Sequence, residues 1–301
     1  MEIKNFDELV QIVKAAPMVK GAVAAADDHT IEAACHAYEE NVMEPIFIGK
    51  KQEITEILRG LGYAQDKFEL IEEEDVLRTP YHACTLVNEG KASLVMKGFI
   101  DTSDFLRGIL DKETGLRTGN PMSHVAVLEI PGYHKLIATT DGGMITEPDY
   151  DTKVKIIENA VTMFRGMGYE CPKVAALTAV EKPNKAMPET MDARALQEAN
   201  QAGIIKNCIV EGPVSYDIAM SKAAAEKKKF EGNCSENYDI LLVPNISAGN
   251  LMSKAIIIHG GAKMSGTVVG AKVPLVLNSR SASAIDKFYA ICLSVACTMH
   301  K

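Results

Sequence analysis

The sequence predicts an α/β protein made of two doubly wound domains. Three observations carry that expectation. Short apolar runs of strand length alternate with stretches of helical spacing along most of the chain, the pattern of a parallel sheet covered by helices. The alternation breaks once, where two strand candidates stand too close together for a helix between them. The chain has 301 residues, 47% hydrophobic and 24% charged, which suits one large or two modest globular domains.

Taken in order, Ala22 to Ala26 is a small apolar run, followed by an Asp-Asp-His-Thr turn and helical spacing from Ile31 to Glu40. Pro45 to Ile48 reads as a strand and Glu53 to Leu61 as a helix. Val76 to Glu89 reads as helix, Ser93 to Met96 as a short buried strand, and Asp104 to Leu110 as helix again. Two neighbouring strands, His124 to Ile130 and Lys135 to Thr140, flank Pro-Gly-Tyr-His and predict an antiparallel hairpin. The rhythm then resumes with helix 153–167, strand 173–177, helix 191–202, strand 208–210, helix 215–229 and strand 240–243. A strand at 273–277 and a closing helix at about 283–299 end the chain.

The hairpin suggests a domain boundary, and the last segment is expected to return to the first domain. The expected division is 1–128 plus 265–301 against 129–264. Folds of this class bind ligands beyond the carboxyl ends of their strands, so the loops after strands are where chemistry is sought.

The net charge of -8 argues against a nucleic-acid binder, which needs a basic face. The seven cysteines form no Cys-x-x-Cys pair, so neither a zinc ribbon nor a redox dithiol is expected. No metal site is expected either. Their odd, scattered placement fits reduced thiols and a cytoplasmic protein. The first residues lack a basic region followed by an apolar stretch, so no secretory signal is expected, and no apolar run is long enough for a bilayer.

The most informative stretch is Val273-Pro-Leu-Val-Leu-Asn-Ser-Arg-Ser-Ala-Ser-Ala-Ile-Asp286. A strand ends at Leu277, polar residues follow, and a helix begins. Its apolar positions include Ile285, Phe288, Cys292, Val295 and Met299. A helix N-terminus offers free N–H donors, and an arginine before it can bind phosphate with two parallel hydrogen bonds. An aspartate in the first turns can serve as general base. The same pattern also fits a serine cap, a surface arginine and a favourably placed acid.

Ser279-Arg280, with Ser283 and Asp286 following, is similar to the Ser-Arg-Gly-Cys-Ser-x-x-Asp signature of phosphotransacetylases. Ser281-Ala282 replaces the Gly-Cys pair. Pro244-Asn-Ile-Ser-Ala-Gly-Asn250 resembles that family's Pro-(Asp/Asn)-x-x-(Ala/Thr)-Gly-Asn loop, and Glu211-Gly-Pro-Val-Ser-Tyr-Asp217 its Asp-Gly-Pro-x-x-x-Asp segment, expected as a strand-to-helix turn. Lys97-Gly98 with Arg107, Ser123-His124 and Thr139-Thr140-Asp141-Gly142 match in outline. The Lys-Gly and Ser-His-Val-Ala-Val pieces look more like phosphotransbutyrylases. His124 opens an apolar strand and reads best as a buried structural imidazole. Gly260, Gly261, Gly266 and Gly270 lack P-loop spacing and read as a mobile loop.

The resemblance runs from about Val23 to Ala296, to the phosphate acetyl/butyryltransferase family. It implies an isocitrate/isopropylmalate dehydrogenase-like fold with a cleft between the two domains. It implies exchange of a short acyl group, butyryl first and acetyl second, between coenzyme A and phosphate. Coenzyme A is then a substrate, no cofactor is bound, and the protein is a homodimer with no nucleic-acid or membrane partner. Asp286, Arg280 and Ser279 are the implied catalytic residues. Arg107, Lys97, Gly98, Ser123, Thr140, Asp141, Asn245, Gly249 and Asn250 are the implied substrate-binding ones. Two alternatives of another class stand beside this: an NAD(P)-dependent dehydrogenase of the same fold, and a non-catalytic anion-binding protein.

Overall fold

A computed structural model describes residues 2–64, 66–277 and 282–300. In chain order the elements are α1 (Phe6–Lys14), β1 (Val19–Ala24), α2 (Asp28–Glu39), β2 (Met43–Gly49), α3 (Lys51–Gly60), β3 (Glu69–Glu72), α4 (Thr79–Asn88), β4 (Leu94–Lys97), α5 (Thr102–Ile109), β5 (Ser123–Glu129) and β6 (Ile137–Thr140). They continue with α6 (Tyr150–Gly166), β7 (Lys173–Leu177), α7 (Pro188–Gln201), β8 (Ile209–Val214), α8 (Tyr216–Met220), α9 (Lys222–Lys228), β9 (Ile240–Leu242), α10 (Ile246–Gly260), β10 (Lys263–Val269), β11 (Leu275–Val276) and α11 (Ala284–Ala296). The chain divides into two compact units. One comprises Phe6–Asn120 with Ser265–Met299, and the other Met1–Asn5 with Pro121–Met264 and His300.

In the first unit the strand order is β3-β2-β1-β4-β11-β10. All these pairs are parallel except β10 with β11. α11 packs against α1 and α2, with the Phe6 and Tyr289 rings stacked 4.6 Å apart and His36 lying 4.5 Å from Phe288. Every residue of α11 from Lys287 to Ala296 is buried. A helix with so little polar surface is held by its core rather than by its own propensity.

In the second unit the order is β5-β6-β9-β7-β8. β5 and β6 form the expected antiparallel hairpin, with Ala126 opposite Thr139 and Leu128 opposite Ile137, and the remaining pairs are parallel. Leu128, Ile137, Leu241 and the fully buried Tyr238 belong to its core. Edge strand β8 carries the Glu211-Gly-Pro segment that was expected to be a turn. Proline is tolerated there because an edge strand has a side with no ladder to break.

Three other expectations are corrected. The glycine-rich stretch after Gly260 is strand β10, with Val268 paired to Leu275, because burial of Val268 and Thr267 overrides the looseness of its glycines. The helix expected over 215–229 breaks at Ser221, whose extended backbone and hydroxyl cap α9 by accepting from the Ala224 N–H. The helix expected over 76–89 is a 3-10 turn, 76–78, followed by α4. Helix α1 and strand β3 stand outside the expected elements.

Candidate active site

In the first unit, β4 ends at Lys97 and its loop turns back against β1. A Cβ on Gly98 would stand 2.0 Å from the Ala25 carbonyl oxygen, so only glycine lets the two loops meet. The Gly98 and Phe99 N–H groups donate to the Ala24 and Ala25 carbonyls, each at 2.8 Å. Lys97 is buried, and its ammonium donates to the Gly98 and Ile100 carbonyls at 3.3 and 2.9 Å. It therefore clamps its own loop. Arg107, on α5, is exposed and pairs with Asp104 at 2.7 Å.

β11 runs parallel to β4, with Leu275 beside Val95 and Val276 beside Met96. Their exits therefore lie side by side. Ser279 and Arg280 follow β11 and lie outside the described residues. Helix α11 begins just beyond them with a reciprocal cap. The Ser283 Oγ accepts from the Asp286 N–H at 3.2 Å, and Asp286 Oδ2 accepts from the Ser283 N–H at 3.1 Å and from its hydroxyl at 2.6 Å. Both bonds to the carboxylate land on Oδ2. Among the described residues Oδ1 takes none.

Beside the Gly98–Ile100 loop, the ends of β1 to β4 border a cavity of about 840 Å³. Ile57, Leu77, Phe99 and Ile100 supply apolar walls, while Asp27, Glu73 and other carboxylates with a single lysine, Lys50, make its rim acidic.

In the second unit five predicted residues, Thr140, Asp141, Asn245, Gly249 and Asn250, come together at the carboxyl ends of β6 and β9. Asp141 is buried. Its Oδ1 accepts from the Gly143 and Met144 N–H groups at 2.8 Å, and its Oδ2 from those of Ile145 and His124 at 3.2 Å. The carboxylate is thus spent on shaping its own loop. Burial pushes the His124 imidazole below its ordinary pKa, and the nearby Asp141 charge opposes that shift. The Thr140 hydroxyl donates to the His124 carbonyl at 3.0 Å. Gly249 is buried in the first turns of α10. A Cβ there would come within 2.7 Å of Val243 Cγ2 and 2.9 Å of Gly142 Cα, so it serves close approach of helix to loop. Asn245 caps α10 by accepting from the Ala248 N–H at 3.0 Å, while exposed Asn250 reaches the Gly142 carbonyl at 3.5 Å. Ser123 is fully buried, and its Oγ accepts from Asn159 at 3.0 Å.

The sequence profile described as Phosphate acetyl/butaryl transferase matches residues 72–295. The chain belongs to the phosphate acetyl/butyryltransferase family. The phosphate butyryltransferase of Clostridium acetobutylicum is 40% identical over 293 residues, 97% of each chain. The phosphate acetyltransferase of Thermotoga maritima is 39% identical over 290 residues, 96% of this chain and 98% of the other. Among solved structures, a branched-chain phosphotransacylase from Enterococcus faecalis V583 superposes with a TM-score of 0.83 at 30% identity, covering 94% of this chain and all of that one. A 4-hydroxythreonine-4-phosphate dehydrogenase from Klebsiella pneumoniae, at 12% identity, shares the fold with a TM-score of 0.58 over 93% of this chain and 100% of its own.

The fold is therefore the mixed α/β fold of phosphotransacylases, related to the isocitrate dehydrogenase-like class. The chain is an enzyme, a phosphate acyltransferase, and the dehydrogenase and non-catalytic alternatives fall away. The family uses coenzyme A as a substrate. Among the described residues no helix is long and apolar enough to cross a membrane. Within this phosphate acyltransferase the sequence reading had missed Asn159, whose amide also donates to the Pro121 carbonyl at 2.9 Å. The signal was present: an asparagine on the buried stripe of α6, among Ile156, Ile157, Ala160 and Met163. A polar group at such a position is there to satisfy another.

Proposed function

We propose that the enzyme exchanges butyryl or a similar short acyl group between coenzyme A and inorganic phosphate, working as a homodimer in the cytoplasm. One observation carries the site assignment. The parallel pairing of β4 with β11 sets the start of the Lys97-Gly98 loop beside the end of β11, the strand that Ser279-Arg280 follow in sequence on the way to Asp286. Butyryl is favoured by the butyryltransferase relative and by the Lys97-Gly98 and Ser123-His124-Val-Ala-Val pieces. An acetyl preference is the second reading, supported by the similarly identical acetyltransferase.

In the acyl-phosphate direction of reading, coenzyme A attacks and phosphate leaves. Asp286 takes the thiol proton through the oxygen not engaged by Ser283. The thiolate attacks the acyl carbonyl. The Arg280 guanidinium holds the phosphate and offsets its charge as the carbon–oxygen bond breaks, and Ser279 donates to the carbonyl oxygen where charge develops. The roles of Arg280 and Ser279 rest on the family motif. Arg107 serves the anionic substrate after giving up its exposed pairing with Asp104. The acidic rim of the first unit's cavity repels the coenzyme's phosphates, while its apolar walls suit the uncharged pantetheine arm. In the second unit Thr140, Asp141, Asn245 and Gly249 shape the binding loops, and Asn250, which is exposed, contacts substrate.

A thiol-release assay with phosphate and acetyl-, propionyl-, butyryl- and branched acyl-CoA tests this reading. The highest kcat/KM is expected for butyryl-CoA, and Arg280→Ala is expected to cost about 3 kcal/mol of transition-state stabilisation. No phosphate-dependent thiol release with any substrate would refute the activity. A maximum at acetyl-CoA would favour the second reading, and an unaltered Arg280→Ala enzyme would remove the arginine's role.

A further inference from the structure

We propose that Phe99 sets the length of acyl chain that the enzyme favours, its ring forming the wall of the first unit's cavity on which the chain lies. This rests on the functional reading above and deepens it by naming the residue that selects the acyl group.

Phe99 follows Gly98 in the loop after β4 and is 61% exposed, although its side chain is large and apolar. A lone exposed apolar residue is ordinary. Phe99 is not alone. Val76 and Leu77, in the turn before α4, are also exposed, and all three line the same cavity together with Ile57 and Ile100. Exposed apolar side chains gathered in one cavity mark a ligand surface.

The ring stands on a backbone held from three sides. The Phe99 N–H donates to the Ala25 carbonyl at 2.8 Å. The carbonyls before and after it, those of Gly98 and Ile100, both accept from the buried Lys97 ammonium. Gly98 itself is pressed against the Ala25 carbonyl. A side chain carried on so fixed a loop makes a rigid wall, and a rigid wall can measure length.

Sheet order tells where along the cavity Phe99 stands. In the order β3-β2-β1-β4-β11, β4 is the strand beside β11. The cavity walls that follow β4, Phe99 and Ile100, are therefore the ones next to the end of β11, the strand that Ser279-Arg280 follow in sequence. Ile57 and Leu77 come after β2 and β3 and lie farther along. The functional reading sets the thioester at the β4 and β11 ends and lays the pantetheine arm on the apolar walls. The acyl chain is carried on the same sulfur, so it meets the wall that begins there. At about 840 Å³ the cavity has room for a drug-sized ligand and cannot by its volume tell two carbons from four. Selection falls to the side chain where the chain starts. One methylene in an apolar pocket is worth about 10–200-fold in kcat/KM, and butyryl has two more than acetyl.

Two substitutions test the wall. In a thiol-release assay with phosphate, Phe99→Ala is expected to lower the butyryl-to-acetyl ratio of kcat/KM at least about fivefold. It is expected to raise the hexanoyl-to-butyryl ratio and to leave the circular dichroism spectrum unchanged. The sequence contains no tryptophan, so Phe99→Trp carries the only indole of the chain. Its emission is expected to move to shorter wavelength as butyryl-CoA binds and to move less with acetyl-CoA, a readout that needs no turnover. A native chain without phosphate-dependent thiol release refutes the activity reading and takes this proposal with it. A native chain that turns over, beside a Phe99→Ala variant with the native ratio, overturns the wall alone. So does a Phe99→Trp emission that is the same with both acyl-CoAs. If Phe99→Ala fails to fold, that emission decides.

Discussion

Asp286 and Ser283 hold each other at the first turn of α11, the hydroxyl accepting from one N–H and the carboxylate from the other. The pair orients one carboxylate oxygen and leaves Oδ1 without a partner among the described residues. Capping and proton transfer can therefore belong to the same side chain. They separate on substitution. Ser283→Ala is expected to cost about 0.5–2 kcal/mol of stability and little turnover. Asp286→Asn is expected to lower kcat at least about 100-fold, the lower end of general-base effects, while the fold is kept. Urea unfolding alongside steady-state kinetics reads both. Equal losses of turnover in the two variants would leave Asp286 as a cap and no more.

The approach of Gly98 to the Ala25 carbonyl makes a second prediction. The backbone oxygen lies where a methyl group would go and cannot swing aside as a side chain would. Gly98→Ala is expected to destabilise by about 1–3 kcal/mol, as overpacking does, and to lower turnover by shifting the loop between Lys97 and Ile100. Gly60, the last residue of α3, has nothing within 4 Å of its added Cβ, so Gly60→Ala is the control. It is expected to be neutral or stabilising by up to about 1 kcal/mol. Equal unfolding midpoints for the two variants would contradict the close-approach argument.

His124 makes the third. Burial holds its pKa below the unfolded value, against the opposing Asp141 charge. Between those two values the unfolded chain binds a proton that the folded chain does not, so stability falls as pH drops through the ordinary histidine range and is fully present above it. Each unit of depression is worth about 1.4 kcal/mol. The native protein is expected to lose more stability than His124→Gln as pH falls from about 7 to 5. Denaturation at several pH values measures the difference. Parallel profiles would mean that the imidazole keeps access to water.

The order of strands and helices was legible because burial writes its period into the sequence. α2, β2, α6 and β7 stand where apolar spacing put them, with ends shifted by a few residues. β10 was not legible. Its Lys-Met-Ser-Gly-Thr-Val-Val run has weak alternation and a glycine, and it is a strand because β11 pairs with it and Thr267 meets the Ser294 hydroxyl of α11 at 2.9 Å. α10 left only a weak mark for the opposite reason: apolar on nearly all sides, it lacks the polar face that marks a surface helix.

Motif order along the chain was enough to name the family and the class of reaction, because phosphate binding and proton transfer demand particular side chains in a particular succession. Which partners those side chains find within the chain was a matter of three dimensions. Lys97, Ser123 and Asp141 are among the residues that the motifs imply as substrate-binding. In the folded chain Lys97 donates to its own loop, Ser123 accepts from Asn159, and Asp141 is ringed by four backbone N–H groups. Hydrogen-bond partners far apart in sequence, or hidden in backbone rather than side chains, leave no periodic trace, so only folding assigns them.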